Sequence, residues 1–329
     1  MKPTQLEKAL TALIKTKQPS MIWGAPGVGK SQLVAKVAKN FGKFIDLRLP
    51  LLDAVDLRGI PANVNGKTIW LTPEMFPKTG RGVLFLDELP QAMPIVQSAA
   101  SQLILDRRIG EYTLPDGWAI VAAGNRDTDR AATNRMPSHI ANRFTHLDFE
   151  VSHDDWYDWA YENDVNPMVV AFLQFRPALL HAFDPKLKAF PTPRSWEFVS
   201  NILEGGGVDD CMLEVVAGTV GEAAATEFIG FVRVFRDLPD YETIVKRPEG
   251  CTIPQDAAVK YAIAQMLACR TTQDDMGQVM KFVNRLPSEF QIVCTQEITK
   301  RNKRLTETSA YISWCSQNKD ILLNSTINR

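Results

Sequence analysis

One short segment constrains this chain more than any other. Residues 24–31, Gly-Ala-Pro-Gly-Val-Gly-Lys-Ser, match the pattern G-x-x-x-x-G-K-S/T, in which a glycine-rich loop surrounds phosphate groups. Glycines let the backbone turn tightly, so that several N–H groups point at one anion. Average composition produces this pattern by chance in roughly one chain in a hundred of this length. The segment therefore predicts a site for a phosphate-bearing ligand.

The residues around this loop predict the fold that carries it. Residues 21–23 read as a short buried strand, and residues 32–40 as an amphipathic helix. Further apolar runs, each predicted to be a strand, lie at residues 44–49, 83–86, 119–123 and 144–149. Because helical stretches or loops separate these runs, the pattern favours an α/β fold with a parallel sheet. At the N-terminus, Thr4-x-x-Glu7 predicts a capping box that starts a first helix.

The strand signal stops after about residue 151, and helical periodicity broken by prolines and glycines continues to the end. We therefore expect a P-loop parallel-sheet αβα core, an all-α lid and a helical C-terminal extension. The expected boundaries are 1–150 for the nucleotide-binding core, 151–245 for the lid and 246–329 for the extension.

Composition removes several classes of protein. The formal net charge of −1 gives no global basic field for nucleic acid. The N-terminus has no apolar signal segment, and no apolar run approaches the roughly 18 residues of a membrane span. The five cysteines include no C-x-x-C pair, and the four histidines have no helical metal-ligand spacing. We expect a soluble cytoplasmic protein with no zinc site and no membrane partner.

Two residues inside the loop predict which phosphates are bound. Lys30 places a point charge at the β- and γ-phosphates of a nucleotide, and Ser31 offers a hydroxyl to Mg²⁺. The helix that follows directs its positive end at the same anion. The expected cofactors are ATP and Mg²⁺. The expected nucleotide-binding residues are Gly24, Ala25, Pro26, Gly27, Val28, Gly29, Lys30, Ser31 and Gln32.

Polar residues at two later strand ends predict the rest of the chemistry. Asp87 and Glu88 follow four apolar residues, at the end of a strand where α/β sheets place ligands. Asp87 can hold Mg²⁺, usually through water, and Glu88 can polarise the attacking water as a general base. Asn125 closes another strand and could orient that water, although asparagine is equally common as a turn or cap residue.

Hydrolases with such a loop often use an arginine to neutralise charge in the transition state, which is worth about 10³–10⁵ in rate. Arg143 precedes the last predicted strand, and Arg194 lies beside Pro193 at the start of a predicted helix. Arg126, Arg130 and Arg135 are further arginines of this region. Spacing alone does not choose among the five.

In their order, these elements resemble an AAA+ ATPase of the MoxR-like branch, over roughly residues 15–205. Residues 24–31 resemble its Walker A motif and residues 83–88 its Walker B motif with the catalytic Glu88. Residues 122–125 resemble the end of the sensor 1 strand. Arg143 matches an arginine of the family, with Asn142 in place of the usual acid or arginine, and residues 192–194 resemble the sensor 2 segment.

The resemblance implies a six-membered ring with ATP bound between subunits. Arg143 would reach the neighbour's site, with Arg130 and Arg135 as alternatives, and Arg194 would act within its own chain. Residues 56–70 and 107–117 resemble two insertions that face the central pore and touch the client. Relatives remodel protein clients, often with a von Willebrand factor A-type partner.

Two other functions remain open. The first is a nucleic-acid motor of a restriction or phage DNA-processing complex, for which the pore-facing basic residues would be Arg58, Lys67, Arg107 and Arg108. Because the net charge is near neutral, we rank this function below a protein-remodelling motor and keep it as the alternative. The second is a nucleotide-gated scaffold without turnover, against which the intact pair Asp87 and Glu88 argues.

Overall fold

All five apolar runs of the first half form strands of one sheet. The computed structural model describes residues 1–126, 129, 136–206, 209–236 and 238–319, which divide into two compact units, Met1–Asp155 and Trp156–Arg329. In the first unit the elements are α1 (Pro3–Lys15), β1 (Ser20–Trp23), α2 (Lys30–Ala38), β2 (Lys43–Arg48), α3 (Ala54–Arg58), β3 (Ile60–Val64), β4 (Lys67–Leu71), β5 (Arg81–Asp87), α4 (Pro94–Asp106), β6 (Arg108–Ile109), β7 (Tyr112–Thr113), β8 (Gly117–Gly124), α5 (Ser138–Ala141) and β9 (Thr145–Asp148).

The strands are parallel and lie in the order β2-β5-β8-β1-β9. The order changes direction at β1, because the chain runs from β1 to the far edge and returns strand by strand before adding β9 on the other side. Ligands of open α/β sheets bind beyond the carboxyl ends of the strands at such a switch point. The predicted parallel α/β core is therefore confirmed, with the glycine-rich loop at its switch point.

Two apolar clusters cover the two faces of this sheet. Alternate residues of a strand point to opposite faces. In β5, Val83 and Phe85 pack with residues of α1 and α2, while Leu84 and Leu86 pack with residues of α4. The result is the three-layer αβα arrangement that the sequence predicts, with both faces of the central strands buried.

Two small hairpins project from the first unit, at the two segments that resemble insertions. Strands β3 and β4 pair antiparallel with Val64 opposite Lys67, across a turn in which Asn65 and Gly66 have φ of 50° and 76°. Positive φ at both positions is typical of the tight Asn-Gly hairpin turn. Strands β6 and β7 form the second hairpin, with Arg108 opposite Thr113.

The predicted start of α1 is wrong. The helix begins at Pro3 rather than after Thr4, and its N-cap is Lys2, whose N–H donates to Gln5 Oε1 over 3.2 Å. Proline suits the first helical position because the N–H that it lacks has no partner there. Glu7 instead pairs with Lys36 of α2 over 2.7 Å.

The second unit contains helices and no strand among its described residues. Helix α6 (His153–Glu162) crosses the boundary between the units. It is followed by α7 (Pro167–Phe175), α8 (Pro193–Glu204), α9 (Met212–Val220), α10 (Glu222–Arg236), α11 (Tyr241–Lys246), α12 (Ala257–Arg270), α13 (Met276–Val283), α14 (Ser288–Arg301) and α15 (Ser309–Gln317). The helical character predicted for this half is confirmed, while its division at residue 245 and its role as a lid stay predictions.

A buried polar group lies where helices of this unit pack. The Gln265 side-chain nitrogen lies 2.8 Å from Glu297 Oε2, 2.7 Å from the Tyr161 hydroxyl and 3.1 Å from Gln174 Oε1. Burial raises the pKa of Glu297 from 4.5 to about 7; Lys300 opposes the rise and Asp158 adds to it. The folded protein thus holds a proton that the unfolded chain releases at lower pH.

This proton makes stability depend on pH. The stabilisation from the raised pKa is fully present below about 4.5 and is lost as the pH rises through about 7. We expect the free energy of unfolding to fall by up to about 3 kcal/mol between pH 5 and 8, and Glu297→Gln to remove this fall. Urea midpoints at both pH values measure it. Glu289→Gln, at an exposed acid of the same helix, should keep the wild-type fall; the same fall in Glu297→Gln would contradict the assignment.

Among the described residues, no helix combines the length and apolar character that crossing a bilayer requires.

Candidate functional site

The glycine-rich loop joins β1 to α2 as the sequence predicts. Gly29 is the N-cap of α2 and has φ of 95°. Residues other than glycine rarely adopt this left-handed conformation, so glycine suits the point where the loop enters the helix. The Gly24 N–H donates to the Gly124 carbonyl over 3.2 Å, which fixes the start of the loop to the end of β8. The loop thus leads directly into the first turn of α2, and the start of a helix is a favourable place for an anion.

Lys30 connects the loop to the neighbouring strand end. Its ammonium lies 2.7 Å from the Gly24 carbonyl, 3.0 Å from the Ala25 carbonyl and 2.8 Å from Asn125 Oδ1. The side chain is buried although it is charged. A buried ammonium in contact with these neutral oxygens can be drawn to a phosphate, because charge-assisted hydrogen bonds between two ions are the stronger kind.

A hydrogen bond also joins Ser31, at the start of α2, to Asp87. The Ser31 hydroxyl donates to Asp87 Oδ2 over 2.8 Å, and the Glu88 N–H donates to Asp87 Oδ1 over 3.0 Å. Asp87 is the last residue of β5 and is buried. A hydroxyl and a carboxylate are hard oxygen ligands, and their spacing suits neighbouring ligand positions of an octahedral Mg²⁺, which lie about 2.9 Å apart.

A third acid, Asp46, lies near the same carboxyl ends of the strands as Asp87. It belongs to β2, the neighbour of β5, and its pKa is raised first by burial and then by the negative charge of Asp87, with a smaller rise from Glu88. Arg48 acts in the opposite direction. Carboxylates that repel one another are stabilised by a divalent cation, so these acids fit Mg²⁺. Asp46 has no motif in the sequence that marks it, because only the pairing of β2 with β5 brings it here.

Glu88 follows Asp87 in a different environment. Its backbone is left-handed, with φ of 57°, which is uncommon for a residue other than glycine and recurs at functional sites. The turn exposes the Glu88 side chain, whereas Asp87 before it and Leu89 after it are buried. The carboxylate is therefore open to a water molecule, as a general base requires.

Gln91 links Glu88 to Asn125 and is the second residue that the sequence analysis missed. Its side-chain oxygen accepts from the Asn125 backbone N–H and from Asn125 Nδ2, both over 2.9 Å, when its amide is oriented to satisfy both neighbours. Its nitrogen then donates to the Glu88 carbonyl over 3.2 Å. Asn125 is thus held on both sides, by Lys30 and by Gln91. No motif in the sequence marks Gln91.

This linkage requires glycine at the end of β8. A Cβ at Gly124 would lie 2.3 Å from Pro90 Cδ and 2.5 Å from Pro90 Cγ, so the strand passes directly against the turn that carries Gln91. We expect Gly124→Ala to lower the free energy of unfolding by about 1–3 kcal/mol through overpacking. Urea unfolding measures the change. Gly218→Ala is the control, because a Cβ there meets nothing within 4 Å; an equal loss in both variants would contradict the close contact.

The predicted arginines lie on different elements of the chain. Arg126 donates to the Phe149 carbonyl over 3.0 Å and pairs with Asp148 over 3.4 Å, so it ties the ends of β8 and β9 together. Arg194 is exposed on the first turn of α8, in the second unit, after the capping residue Thr192. Arg130 and Arg135 lie outside the described residues.

Arg143 lies in the turn between α5 and β9, and its side chain is exposed. Its N–H donates to the Ile140 carbonyl over 3.0 Å, which keeps the turn tight. Strand β9 is the edge strand next to β1, so this turn lies at one border of the sheet. An open depression of about 670 Å³ lies beside it, lined by Ser138, His139, Ala141, Asn142, Phe144 and His146.

No protein-family profile matches the chain. The chain is similar to Midasin of Giardia intestinalis, with 26% identity over 211 residues, or 59% of this chain and 4% of Midasin. The chain therefore spans a small fraction of the length of this relative.

Solved structures give the same weak similarity. A point mutant of Thermotoga maritima RuvB has 15% identity, a TM-score of 0.43 and coverage of 78% of this chain and 81% of its own. Brucella abortus NtrX in complex with ATP has 12% identity, a TM-score of 0.44 and coverage of 97% and 67%. At these scores the fold rests on the strand order and the loop of the chain itself. It is a P-loop αβα fold followed by a helical unit.

Proposed function

We propose that this chain is an AAA+ ATPase of the MoxR-like branch that hydrolyses ATP with Mg²⁺. One observation carries the proposal: polar residues at the ends of two parallel strands, β5 and β8, contact the loop and the start of α2. Lys30 meets Asn125 over 2.8 Å, and Ser31 meets Asp87 over 2.8 Å. A phosphate-binding loop, an acidic strand end and a strand-end amide are the parts that nucleotide hydrolysis needs in one place.

In this proposal the loop and Lys30 bind the β- and γ-phosphates. Ser31 and Asp87 would hold Mg²⁺, which when bound would neutralise charge on the phosphate oxygens. Glu88 accepts a proton from the attacking water, and Asn125 orients that water. The hydrogen bonds that Asn125 donates to Gln91 and accepts from Lys30 hold its amide in place for this role.

The exposure of Arg143 at the border of the sheet supports a shared site. An arginine that neutralises charge in the transition state must contact the phosphate, and a neighbouring subunit can supply it. We propose a homo-hexameric ring in which Arg143 acts in the neighbour's site and Arg194 acts within its own chain. Heterologous contacts that close into a ring produce such an arrangement.

We propose a protein client, remodelled by the ring in the cytoplasm, with a von Willebrand factor A-type protein as its partner. The hairpin formed by β3 and β4 supports this choice. Ile60 is 62% exposed, Leu71 53% and Trp70 40%, and these side chains stand on one small projection. Exposed apolar groups at such density mark protein interaction sites.

The exposed side chains give less support to the alternative function, a nucleic-acid motor. Of its four basic residues, Arg107 is engaged inside the fold, since its guanidinium donates to the Pro115 carbonyl over 3.1 Å and the Trp118 carbonyl over 2.7 Å. Arg58, Lys67 and Arg108 are exposed. Three exposed cations in a chain of net charge −1 form a small footprint for a phosphate backbone.

One experiment separates the two functions. ATP turnover is measured with an unfolded protein and, separately, with double-stranded DNA, each at about 50 and about 200 mM salt, the range over which phosphate contacts weaken steeply. The proposal predicts stimulation by the protein with little dependence on salt. Stimulation by DNA alone, lost at the higher salt concentration, would favour the nucleic-acid motor. Mass photometry with and without ATP tests the number of subunits.

A further inference from the structure

A histidine that the chemistry above does not use connects the phosphate-binding strand to the turn that carries Arg143. The Trp23 indole N–H donates to His146 Nδ1 over 2.8 Å, and His146 Nε2 lies 2.9 Å from the Ala141 carbonyl. Trp23 is the last residue of β1, directly before the loop, and Ala141 is the last residue of α5. The imidazole therefore joins two segments that are far apart in the sequence.

The two hydrogen-bond partners determine which tautomer the neutral imidazole of His146 adopts. An indole N–H only donates, so His146 Nδ1 must be the acceptor and the proton of the neutral ring must lie on Nε2. That proton is then donated to the Ala141 carbonyl. Both nitrogens are used, and the Trp23 and His146 rings lie nearly parallel, with an angle of 16° between them. The orientation of His146 is thus determined by two hydrogen bonds rather than by burial, since the side chain is exposed.

The Ala141 carbonyl is also part of the turn itself. It accepts from the Phe144 N–H over 3.1 Å, while the Arg143 N–H donates to the Ile140 carbonyl. The ring of Phe144 meets His146 edge-on, with centroids 6.3 Å apart. Both the carbonyl that closes the turn and the aromatic residue that follows Arg143 are therefore in contact with His146. Without these contacts, the turn keeps its own short hydrogen bonds and the buried side chains of Ile140 and Phe144.

We propose that His146 is a positioning residue for Arg143, which it holds at a fixed place relative to the strand that enters the phosphate-binding loop. The inference rests on the proposed function, in which Arg143 acts in the site of the neighbouring subunit. It gives His146 an effect on a site that its own chain does not contain. A displacement of about 1 Å in a group that contacts the reacting atoms can lower a rate by about 10²-fold.

The variants separate the hydrogen bonds from the packing. His146→Phe keeps an aromatic ring and removes both nitrogens, His146→Gln keeps one donor and one acceptor, and Trp23→Phe removes the indole donor. We expect kcat for ATP hydrolysis to fall roughly ten- to hundredfold in His146→Phe, and less in the other two. The KM for ATP should stay within about twofold of wild type, because ATP binds to the chain's own loop. His139→Phe, at an exposed histidine of α5, is the control and should match wild type.

Mixed assemblies show where His146 acts. His146→Phe subunits keep Glu88 but offer a displaced Arg143, whereas Glu88→Gln subunits offer an intact Arg143. When equal amounts of the two are mixed, about a quarter of the sites pair an intact Glu88 with an intact Arg143, so activity should return. A parallel mixture of Arg143→Ala with Glu88→Gln tests the proposed function itself.

The two mixtures have distinct outcomes. Recovery in both supports the inference. Recovery with Arg143→Ala but none with His146→Phe overturns it, because His146 would then act on its own loop or on folding. No recovery in either overturns the shared site of the proposed function, and the role of His146 falls with it. A His146→Phe chain that fails to fold gives no recovery, and in that case the folded Trp23→Phe variant is mixed instead and must recover.

Discussion

Replacing Lys30 with alanine should abolish productive ATP binding. Its ammonium is buried in the loop, where the Gly24 and Ala25 carbonyls and Asn125 hold it at the proposed phosphate site. Two charge-assisted hydrogen bonds to phosphate oxygens are worth about 1.5–3 kcal/mol each, so we expect kcat/KM to fall by roughly 10²- to 10⁴-fold. Binding of a fluorescent ATP analogue and steady-state phosphate release measure the two parts of this loss.

Lys36→Ala is a matched control for that experiment. Lys36 lies on the same helix, and its exposed ion pair with Glu7 is of the kind that contributes about 0–1 kcal/mol. It should leave nucleotide binding unchanged. Equal binding of the analogue by Lys30→Ala and by wild type would show that the nucleotide does not occupy the loop.

Glu88→Gln should separate binding from cleavage. The exposed carboxylate is lost, but the hydrogen bond from its backbone N–H to Asp87 and the bond from Gln91 to its carbonyl both remain. We expect ATP affinity within about threefold of wild type and kcat lower by about 10²- to 10⁴-fold, the contribution typical of a general base. Single-turnover measurements with radiolabelled ATP report cleavage directly.

The exposed Glu74, in the loop between β4 and β5, provides the comparison. Glu74→Gln should hydrolyse ATP at the wild-type rate. Full turnover in Glu88→Gln would remove Glu88 from the role of general base and turn attention to Asp46, the further carboxylate at this edge of the sheet.

Part of the site was predictable from the sequence, because it depends only on the order of residues along the chain. The loop, Asp87 and Asn125 each follow an apolar run, and the carboxyl ends of parallel strands lie at the same edge of a sheet. Their meeting therefore follows from the pattern alone. The observed bounds of the strands differ from the predicted ones by at most two residues, within the usual uncertainty of element ends.

Gln91, Asp46 and His146 could not be found in that way. Gln91 depends on the close passage of Gly124 over Pro90, and Asp46 on the pairing of β2 with β5. His146 depends on β9 lying next to β1. Each contact arises from strand order in space, which periodicity within one segment does not encode.

At the start of α1, a pattern that is present in the sequence led to a wrong prediction. A capping pattern at Thr4 is present in the sequence, yet the helix begins earlier because Pro3 is already suited to the first helical position. Two local signals compete within two residues, and helix ends are where such signals are least decisive.

The most direct test of the central claim is phosphate release from ATP by the wild-type chain, measured with saturating Mg²⁺ over a wide range of protein concentrations. A site shared between subunits predicts turnover that requires Lys30 and a rate per chain that rises with concentration to a plateau, because dilution separates the subunits. A chain that binds ATP but releases no phosphate at any concentration would be a nucleotide-gated scaffold. A rate per chain independent of concentration, from particles that mass photometry shows to be single chains, would contradict the shared site.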